Sequence, residues 1–318
     1  MGHSGLKVSH LALGTMTWGV ETDSDDAAAQ LVAFHDAGGT LVDTAASYGF
    51  GTTEELIGQL LADVVPRANL TIATKAGITR TEEGRFVDCS RGALLRQLDA
   101  SLRKLGTDYI DLWYVHYVDD TVPFEETLGA LDAAVSSGKV RYAGVSNYSG
   151  WRIGRAATWQ RSVPGRALIV ANQMRYSLLD RGIEREVVPA CLCLGVGIFP
   201  WSPLGGGVLS GKYRGGIPSD SRAFGGHRPD LVTIDRPRTA GVVEAVATAA
   251  DGLASSPVAV ALAWLRDRPG VIAPVLGART LGQLTAQLAC ETLDLPIEIR
   301  EALDDVSAPV LDYPEHVS

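Results

Sequence analysis

The sequence predicts a single (β/α)8 barrel, an α/β fold in which eight parallel strands form the core and helices surround them. Eight short apolar runs alternate with segments of helical periodicity along the 318 residues. The runs are apolar at successive positions, which is typical of parallel strands that are buried on both faces. A chain of this length fits one barrel with insertions. A doubly wound sheet, which usually has about five or six strands, fits the eightfold alternation less well.

The predicted strands share short length and continuous apolar character. They cover residues 10–15, 41–45, 70–75, 109–116, 142–147, 168–174, 197–202 and 272–278. The segments between them have the apolar spacing of amphipathic helices. They cover residues 23–36, 54–61, 91–105, 124–136, 150–160, 183–194, 239–250 and 281–288. Residue types that cap helices, such as Thr53 and Ser90, stand directly before two of these segments.

Three further segments depart from the strict alternation. Two additional helices are predicted, over residues 257–268 before the last strand and over residues 297–306 after the last barrel helix. Residues 205–237, after the seventh strand, are rich in Gly, Ser and Pro and too long for an ordinary connection, which is typical of a lid or binding loop. No fixed-period repeat or linker-like change of composition divides the chain, so we expect one domain over residues 1–318.

Charge and cysteine content argue against several classes of function. The chain has 28 Lys and Arg residues against 37 Asp and Glu residues, a formal net charge of −9 that would repel a nucleic acid backbone. Four cysteines are too few for a disulfide scaffold, and Cys191 and Cys193 lack the CxxC spacing of redox or zinc sites. We therefore expect no nucleic acid partner, no metal site and a cytoplasmic protein with reduced thiols.

Two segments could be mistaken for membrane-directing signals. Residues 1–7 lack the apolar core of a signal peptide. Residues 187–211 contain no charged residue and exceed the about 20 residues that a spanning helix needs. Pro189, Pro200 and Pro203 would interrupt the backbone hydrogen bonding that lipid demands. We interpret this segment as a helix end, a buried strand and a glycine loop, and expect no membrane association.

Ionisable residues near the carboxyl ends of the strands are the first candidates for catalysis, because barrel enzymes carry their chemistry there. Asp43 lies in the second strand and Tyr48 in the loop that follows it. Lys75 ends the third strand and His116 the fourth. Each residue alone fits a structural role, as a buried acceptor, a lid residue or a core histidine. Together they fit it poorly, since burying an aspartate and a lysine close together is costly unless they pair.

These four residue types make a consistent proton donor for a carbonyl oxygen. A tyrosine, with a reference pKa of about 10, is a weak acid at neutral pH, and a nearby lysine cation favours its phenolate. A carboxylate would hold the lysine charged and in place. An imidazole could form a hydrogen bond to the substrate oxygen. A hydride source must then attack the carbonyl carbon, so the residues predict a carbonyl reductase.

Seven segments in succession resemble the signature segments of the aldo-keto reductase superfamily, from about residue 5 to residue 288. They are LVDTAASYGFGTTEELIG, TIATKAG, DLWYVHYVD, GKVRYAGVSN, NQMRYSLLDR, WSPLGGGVLSGKY and PVLGARTLGQL. The resemblance is greatest to the bacterial branch that is also similar to the β subunits of voltage-gated potassium channels. It implies a (β/α)8 barrel in which Asp43, Tyr48, Lys75 and His116 form the catalytic tetrad, with Tyr48 as the general acid.

The resemblance also implies a set of residues that bind a nicotinamide dinucleotide. Those near the nicotinamide would be Gly14, Thr15, Met16, Asp43, Ser146, Asn147, Gln173 and Trp201, with Trp201 stacked on the ring. The long loop would cover the pyrophosphate through Ser202, Pro203, Leu204, Gly205, Gly207, Lys212 and Arg222. The adenosine phosphate would bind Gly277, Arg279, Gln283 and Gln287 near a helix N-terminus.

The adenosine end indicates NADPH, because Arg279 is suited to hold a 2′-phosphate with two parallel hydrogen bonds. The chain has Ala286 and Gln287 where the family usually has Glu and then Asn. NADH therefore stays an alternative cofactor.

We predict an NADPH-dependent reductase of an aldehyde or ketone, such as a ketosugar or another small carbonyl metabolite, acting as a monomer or homo-oligomer. Trp18, Phe50 and Tyr117 follow or end barrel strands and could line the substrate mouth, although a core or lid role fits them equally well. The resemblance to channel β subunits supplies an alternative function. In it, the protein is a regulatory subunit that senses NADPH and turns over slowly.

Overall fold

The structure, a computed structural model, describes residues 2–219, 221 and 237–309. Its strands are β1 (Ala12–Gly14), β2 (Leu41–Asp43), β3 (Thr71–Ala76), β4 (Ile78–Thr81), β5 (Gly84–Val87), β6 (Ile110–Val115), β7 (Val140–Ser146), β8 (Ile169–Arg175), β9 (Gly197–Trp201) and β10 (Val275–Gly277). Eight of them form one parallel sheet in the order β10-β1-β2-β3-β6-β7-β8-β9, while β4 and β5 form a separate antiparallel hairpin. The predicted α/β barrel is confirmed.

The described residues form ten α-helices, which surround the sheet. They are α1 (Ser24–Asp36), α2 (Thr52–Asp63), α3 (Arg91–Leu105), α4 (Phe124–Ser136), α5 (Gly150–Arg161), α6 (Val187–Leu194), α7 (Pro237–Gly252), α8 (Pro257–Arg266), α9 (Leu281–Leu288) and α10 (Ile297–Val306). The predicted cap Ser90 is confirmed, since Ser90 Oγ accepts a hydrogen bond from the backbone N–H of Ala93 at 3.4 Å. The predicted cap Thr53 is wrong, because α2 begins one residue earlier and the Thr53 hydroxyl donates to the Trp18 carbonyl at 2.9 Å instead.

The two edge strands of the sheet come together and nearly close the barrel. The backbone N–H of Ile198 donates to the Gly270 carbonyl, and the N–H of Ile272 donates to the Ile198 carbonyl, both at 2.9 Å. These bonds form a parallel bridge between β9 and the segment that leads into β10. The first and last thirds of the chain are therefore joined through the same sheet, with β10 paired to β1.

Both faces of the strands are buried, which explains why the strand segments are apolar without interruption. On β6, Leu112 and Tyr114 belong to the cluster that fills the inside of the barrel. Trp113 lies between them in sequence and packs in the larger cluster between the strands and the helices. All three are at most 1% exposed.

Several strands are shorter than predicted, such as β1 (residues 10–15 predicted) and β10 (residues 272–278 predicted). Two larger differences concern whole elements. Residues 183–194 were expected to form one helix, but they form a short 3₁₀ turn, Gly182–Glu184, followed by α6. Pro189 lacks an N–H and its ring clashes with the carbonyl four residues earlier, so it is tolerated only in the first turn of a helix. The hairpin of β4 and β5 was not predicted at all, because its residues are mostly polar and exposed.

Of the predicted loop 205–237, residues 220 and 222–236 lie outside the described residues, and so does Arg222. No single helix in the described ranges is long and apolar enough to cross a membrane. The helices Arg238–Gly252 and Pro257–Arg266 reach that length and composition only as a pair, and the chain bends by 101° between them.

Candidate active site

The four predicted catalytic side chains meet at the carboxyl end of the barrel. Lys75 Nζ donates hydrogen bonds to Asp43 Oδ2 at 2.6 Å and to the Thr44 carbonyl oxygen at 2.8 Å. Its third contact is the hydroxyl oxygen of Tyr48, at 3.5 Å. The rings of Tyr48 and His116 lie edge to face with their centroids 6.1 Å apart. One ammonium group therefore joins a carboxylate, a carbonyl and a phenol beside an imidazole.

Strand register explains the Asp43–Lys75 contact. Asp43 on β2 is opposite Ala73 on β3, and Lys75 lies two residues further along β3. Because side chains alternate along a strand, Ala73 and Lys75 point to the same face of the sheet, which is the inside of the barrel. The Lys75 side chain is 0% exposed and that of Asp43 only 3%, so the pair is withdrawn from solvent.

Burial and charge act in opposite directions on Lys75. Burial disfavours the ammonium form, but the carboxylate of Asp43 and the hydroxyl of Tyr48 outweigh it and raise the pKa of Lys75 above its ordinary value. Lys75 is therefore a permanent cation at neutral pH.

Burial is the largest influence on Tyr48 and raises the pKa of its phenol above 10.0, while the Lys75 cation lowers it in part. The hydroxyl is therefore protonated at neutral pH, as a general acid must be. The sequence correctly indicated the direction in which Lys75 acts on the phenol, but it gave no measure of the burial that opposes it.

His116 is a neutral imidazole. Burial, followed by the cations of Lys75, Arg85 and Arg80, lowers the pKa of His116 well below 6.5. Its Nδ1 atom is buried and has no hydrogen-bond partner among the described residues. The ring is therefore a neutral polar group, edge to face with the Tyr48 ring, whose buried Nδ1 makes no hydrogen bond within the described residues.

Two amide side chains and a serine continue this site across β7 and β8. Gln173 Nε2 donates to Asp43 Oδ1 at 2.7 Å, so both carboxylate oxygens of Asp43 accept strong hydrogen bonds. Ser146 Oγ donates to the Gln173 carbonyl at 3.0 Å. Asn147 Nδ2 lies 3.0 Å from Ser146 Oγ. The structure thus brings all three residues predicted to hold the nicotinamide carboxamide next to the tetrad.

Asn147 connects the tetrad with Trp201, the residue predicted to stack on the nicotinamide. Its Nδ2 donates to the His116 carbonyl at 3.2 Å, and its Oδ1 accepts from Trp201 Nε1 at 3.2 Å. Asn147 has a φ of 62° and Ser202, which follows Trp201, a φ of 55°. Such left-handed backbone is strained for residues other than glycine and is concentrated at functional sites.

The described part of the long loop begins with a run of left-handed glycines. Gly205, Gly206 and Gly207 have φ values of 57°, 68° and 90°. Ser202 Oγ accepts from the Gly206 N–H at 3.0 Å and holds the turn. A Cβ on Gly207 would lie 3.2 Å from Lys212 Nζ. Pro203, which is buried, and Leu204, which is half-buried, complete the predicted loop residues within the described part of the chain.

The predicted residues at the end of β1 pack against the tetrad. Thr15 Oγ1 donates to the Asp43 carbonyl at 3.0 Å, and Gly14 is opposite Asp43 in the sheet. A Cβ on Gly14 would lie 2.7 Å from the Leu276 carbonyl oxygen, so only glycine fits there. Met16 follows as a half-buried residue.

The predicted adenosine-phosphate residues surround the N-terminus of α9. Gln283 Oε1 accepts from the Arg279 N–H at 2.9 Å, and Gln287 Nε2 donates to the Gly277 carbonyl at 2.9 Å. Gln287 Oε1 is buried and has no hydrogen-bond partner within the described ranges. Arg279 also has an ion-pair contact at 3.9 Å with Glu21, and the Arg279 side chain is 26% exposed.

The three predicted substrate residues separate in the structure. Trp18 is 0% exposed, and its Nε1 donates to Gln30 Oε1 at 3.2 Å, which fits a core role rather than a place at the mouth. Phe50 is 71% exposed and Tyr117 is 41% exposed. Phe50 has a strained φ of 54° beside Tyr48, and Tyr117 follows His116, so both lie next to the tetrad in sequence.

Sequence reasoning missed two arginines near this site, Arg80 and Arg85 on the β4–β5 hairpin. Both act on the pKa of His116, as described above. Alternating exposed residues around the turn sequence Thr-Glu-Glu-Gly could have indicated a hairpin.

Comparisons with known proteins agree with this geometry. The sequence profile described as Aldo/keto reductase family matches residues 10–308. The chain is 35% identical to the Bacillus subtilis protein named "Uncharacterized oxidoreductase YrpG", over 96% of this chain and 94% of that protein. It is 31% identical to "Aldo-keto reductase YhdN" of the same organism, over 89% and 85%. It is 33% identical to a rice protein named "Probable voltage-gated potassium channel subunit beta", over 99% and 97%.

Proposed function

This chain belongs to the aldo/keto reductase family, and we propose that it is an NADPH-dependent reductase of a small aldehyde or ketone, with Tyr48 as the proton donor. The observation that carries the proposal is the Lys75 ammonium group, which lies 2.6 Å from Asp43 Oδ2 and 3.5 Å from the Tyr48 hydroxyl oxygen. Asp43 keeps Lys75 charged, and Lys75 stabilises the phenolate that remains when the proton leaves.

The roles of the tetrad follow from these contacts. The Tyr48 hydroxyl donates its proton to the carbonyl oxygen, which becomes the alcohol oxygen. His116, a neutral imidazole, holds that oxygen near Tyr48 by a hydrogen bond. Gln173 and Lys75 together occupy both oxygens of Asp43, so the carboxylate stays in place and faces no substrate itself.

Three features of the chain fit a bound nicotinamide dinucleotide. The consecutive left-handed glycines from Gly205 to Gly207 carry no side chains that would keep a phosphate from the loop, and Lys212 supplies a cation beside them. Gln287 Oε1, which has no partner among the residues that the structure describes, offers an acceptor at the adenosine end. Arg279 at the start of α9 is the residue suited to a 2′-phosphate, which favours NADPH over NADH. The bound cofactor supplies the hydride that the carbonyl carbon accepts.

The proposal is tested by steady-state assays of the purified chain with a panel of aldehydes, ketones and ketosugars, in which loss of NADPH absorbance and formation of the alcohol are both measured. We expect stoichiometric formation of alcohol and NADP. A chain that binds NADPH but reduces no member of the panel would contradict the proposal.

A second candidate function is a regulatory subunit that senses NADPH, which the 33% identity to a protein named as a potassium channel subunit favours. Both functions fit an intact tetrad. They are separated by comparing the turnover rate with the rate of cofactor release, measured by stopped-flow fluorescence. A catalytic role predicts turnover on the best carbonyl at physiological concentration. A sensing role predicts release and turnover that are both slow for every carbonyl tested.

A further inference from the structure

The β4–β5 hairpin begins directly after the strand that carries Lys75. β3 ends at Ala76, and β4 begins at Ile78, so the hairpin rises from the carboxyl end of the barrel where the tetrad lies. β4 also packs against the short 3₁₀ segment Tyr48–Gly51, which contains the proton donor. The hairpin therefore stands at the side of the substrate mouth.

The two faces of the hairpin have different environments. Thr79 on β4 accepts a hydrogen bond from Gln97 Nε2 on α3 at 3.2 Å, so the face that contains Thr79 is directed to that helix. Arg80 and Arg85 are directly opposite each other in the antiparallel register and, because side chains alternate, lie on the other face. The guanidinium carbon of Arg85 lies 4.5 Å from the centre of the Tyr117 ring. This face is therefore directed to the residue that follows His116.

The charges of both arginines affect the pKa values of tetrad residues. Arg80 and Arg85 each lower the pKa of His116, and Arg80 also lowers that of Tyr48. Glu82 and Glu83 balance the formal charge of the hairpin, but they stand at its turn, at the end farther from β3. The arginines thus make the part of the hairpin nearest the mouth positive.

Two like charges directly opposite each other weaken a strand pair, and this pair is exposed at both positions. The register brings both arginine side chains out from neighbouring backbone positions of the pair. The planar guanidinium group of arginine can donate two parallel hydrogen bonds to carboxylate or phosphate oxygens. Stacking on the Tyr117 ring holds the guanidinium group of Arg85 in place.

We propose that Arg80 and Arg85 form an anion-binding rim at the substrate mouth, and that the preferred substrate is a carbonyl compound that also carries a carboxylate or a phosphate. This proposal rests on the proposed reductase function and specifies its substrate class. The rim binds the anionic end of the substrate, while the carbonyl end reaches Tyr48 and His116. The net charge of the chain, −9, makes such a local cationic site a determinant of which anions approach.

The test compares pairs of substrates that differ in one anionic group. 4-Carboxybenzaldehyde and its neutral methyl ester have the same aldehyde and ring, and dihydroxyacetone phosphate and dihydroxyacetone form a matched phosphate pair. We expect kcat/KM to favour the anionic member of at least one pair. The pair that shows the preference identifies the anion as carboxylate or phosphate. Equal kcat/KM values within both pairs would overturn the proposal.

Substitutions of the two arginines test whether the rim causes the preference for the anionic substrate. Arg80→Gln and Arg85→Gln should each lower kcat/KM for the preferred anion about 5-fold, as for an exposed ion pair, mainly through KM. Both should lower kcat/KM for the neutral partner less than for the anion, because the effect of the arginines on the pKa values of His116 and Tyr48 is shared by both substrates. The double variant Arg80→Glu/Arg85→Glu should reverse the preference. The matched control is Arg103→Gln, since Arg103 is an exposed arginine in the last turn of α3, outside the β4–β5 hairpin.

A loss that is equal for charged and neutral substrates would overturn the rim and indicate that the arginines only support the hairpin. Added salt should weaken the preference in the wild-type chain and have no such effect in Arg80→Gln/Arg85→Gln. A chain that reduces none of the four compounds would count against the reductase function. The rim is then tested separately by calorimetric titration of 4-carboxybenzaldehyde and its ester, where equal affinity in the wild-type chain would overturn it.

Discussion

Asp43 and Lys75 form one buried ion pair, and the free-energy cost of forming the site lies mainly in withdrawing these two charges from water. Removing one partner from such a pair leaves an uncompensated charge in the interior and typically costs about 3 to 5 kcal/mol. The chain offsets this cost with additional hydrogen bonds, from Gln173 to the carboxylate and from Lys75 to the Thr44 carbonyl. The pair therefore holds a fixed positive charge next to Tyr48, where a surface lysine would be screened and mobile.

We expect Tyr48→Phe to retain NADPH binding while carbonyl reduction falls by at least about 100-fold, because the only change is loss of the hydroxyl that donates the proton. Single-turnover kinetics and fluorescence titration measure the two quantities. Tyr109→Phe is the matched control, since the Tyr109 ring stacks under Arg67 and Arg141 at the start of β6, away from the tetrad. Turnover of Tyr48→Phe close to that of the control would remove Tyr48 from the mechanism.

We expect Lys75→Met to slow catalysis and to move the alkaline limb of the pH profile of kcat for alcohol oxidation to higher pH. Lys75 lowers the pKa of Tyr48, so its removal raises that pKa further above 10.0. Oxidation uses the phenolate as the base, so the base form then appears only at higher pH. The measurement is kcat for alcohol oxidation as a function of pH. A limb at the same pH as in the wild type would mean that another group controls the acidity of Tyr48.

Lys75→Met also leaves Asp43 buried without its cation, so loss of folding must be separated from loss of catalysis. The double variant Asp43→Asn/Lys75→Met removes both charges. It should unfold at a higher denaturant concentration than Lys75→Met. Its alkaline limb should still lie above that of the wild type but below that of Lys75→Met, because Asp43 raises the pKa of Tyr48.

At the scale of single elements, the barrel strands and most helices could be predicted because burial on both faces leaves a continuous apolar signal. α4, α9 and α10 have the predicted bounds. The β4–β5 hairpin has no such signal, since it is held by backbone pairing and by contacts with α3 rather than by burial. Arg80 and Arg85 could not be assigned to the site for the same reason. Their position depends on the hairpin.

Among the site residues, those that end strands could be placed from sequence and those whose role depends on packing could not. Asp43 and Lys75 meet because β2 and β3 are neighbours, which the order of strands in a barrel dictates. Trp18 follows β1 closely, yet its ring turns into the core toward Gln30. Side-chain direction after a strand depends on the neighbouring helices, and a single sequence contains no direct measure of it.

Our proposal assigns cofactor choice to Arg279, which lies just before α9, and this residue provides a specific test. Arg279→Ala should raise the Kd for NADPH roughly 10- to 150-fold and change that for NADH little, because hydrogen bonds to charged groups contribute about 1.5 to 3 kcal/mol. Quenching of tryptophan fluorescence measures both affinities. Glu21→Gln is a useful control, since it removes the carboxylate 3.9 Å from Arg279 without touching the guanidinium. Equal losses for both nucleotides would show that Arg279 caps the helix or binds the pyrophosphate.

At the scale of the whole molecule, the proposed cofactor residues come from both sides of the closure of the barrel. Gly14 and Thr15 lie at the end of β1, Trp201 ends β9, and Arg279 follows β10. β10 pairs with β1, and β9 meets the segment before β10 through the bridge between Ile198 and Val271. A ligand that contacts all of these elements binds only when the barrel is closed. Its binding free energy is therefore added to the free energy of unfolding of the entire domain.

This coupling predicts a thermal shift that depends on the nucleotide. At a concentration 100 times its measured Kd, NADPH should stabilise the folded chain by about 2.7 kcal/mol. For a domain of this size that corresponds to an increase in Tm of about 4 °C. In Arg279→Ala at the same NADPH concentration, the 10- to 150-fold weaker binding should reduce the increase to about 1 to 2 °C or less. NADH at a fixed concentration should raise Tm equally in both proteins. Differential scanning calorimetry measures all four shifts.

An NADPH shift that is unchanged in the variant would contradict a 2′-phosphate contact at Arg279. Two separate transitions would contradict closure of the barrel as one cooperative unit.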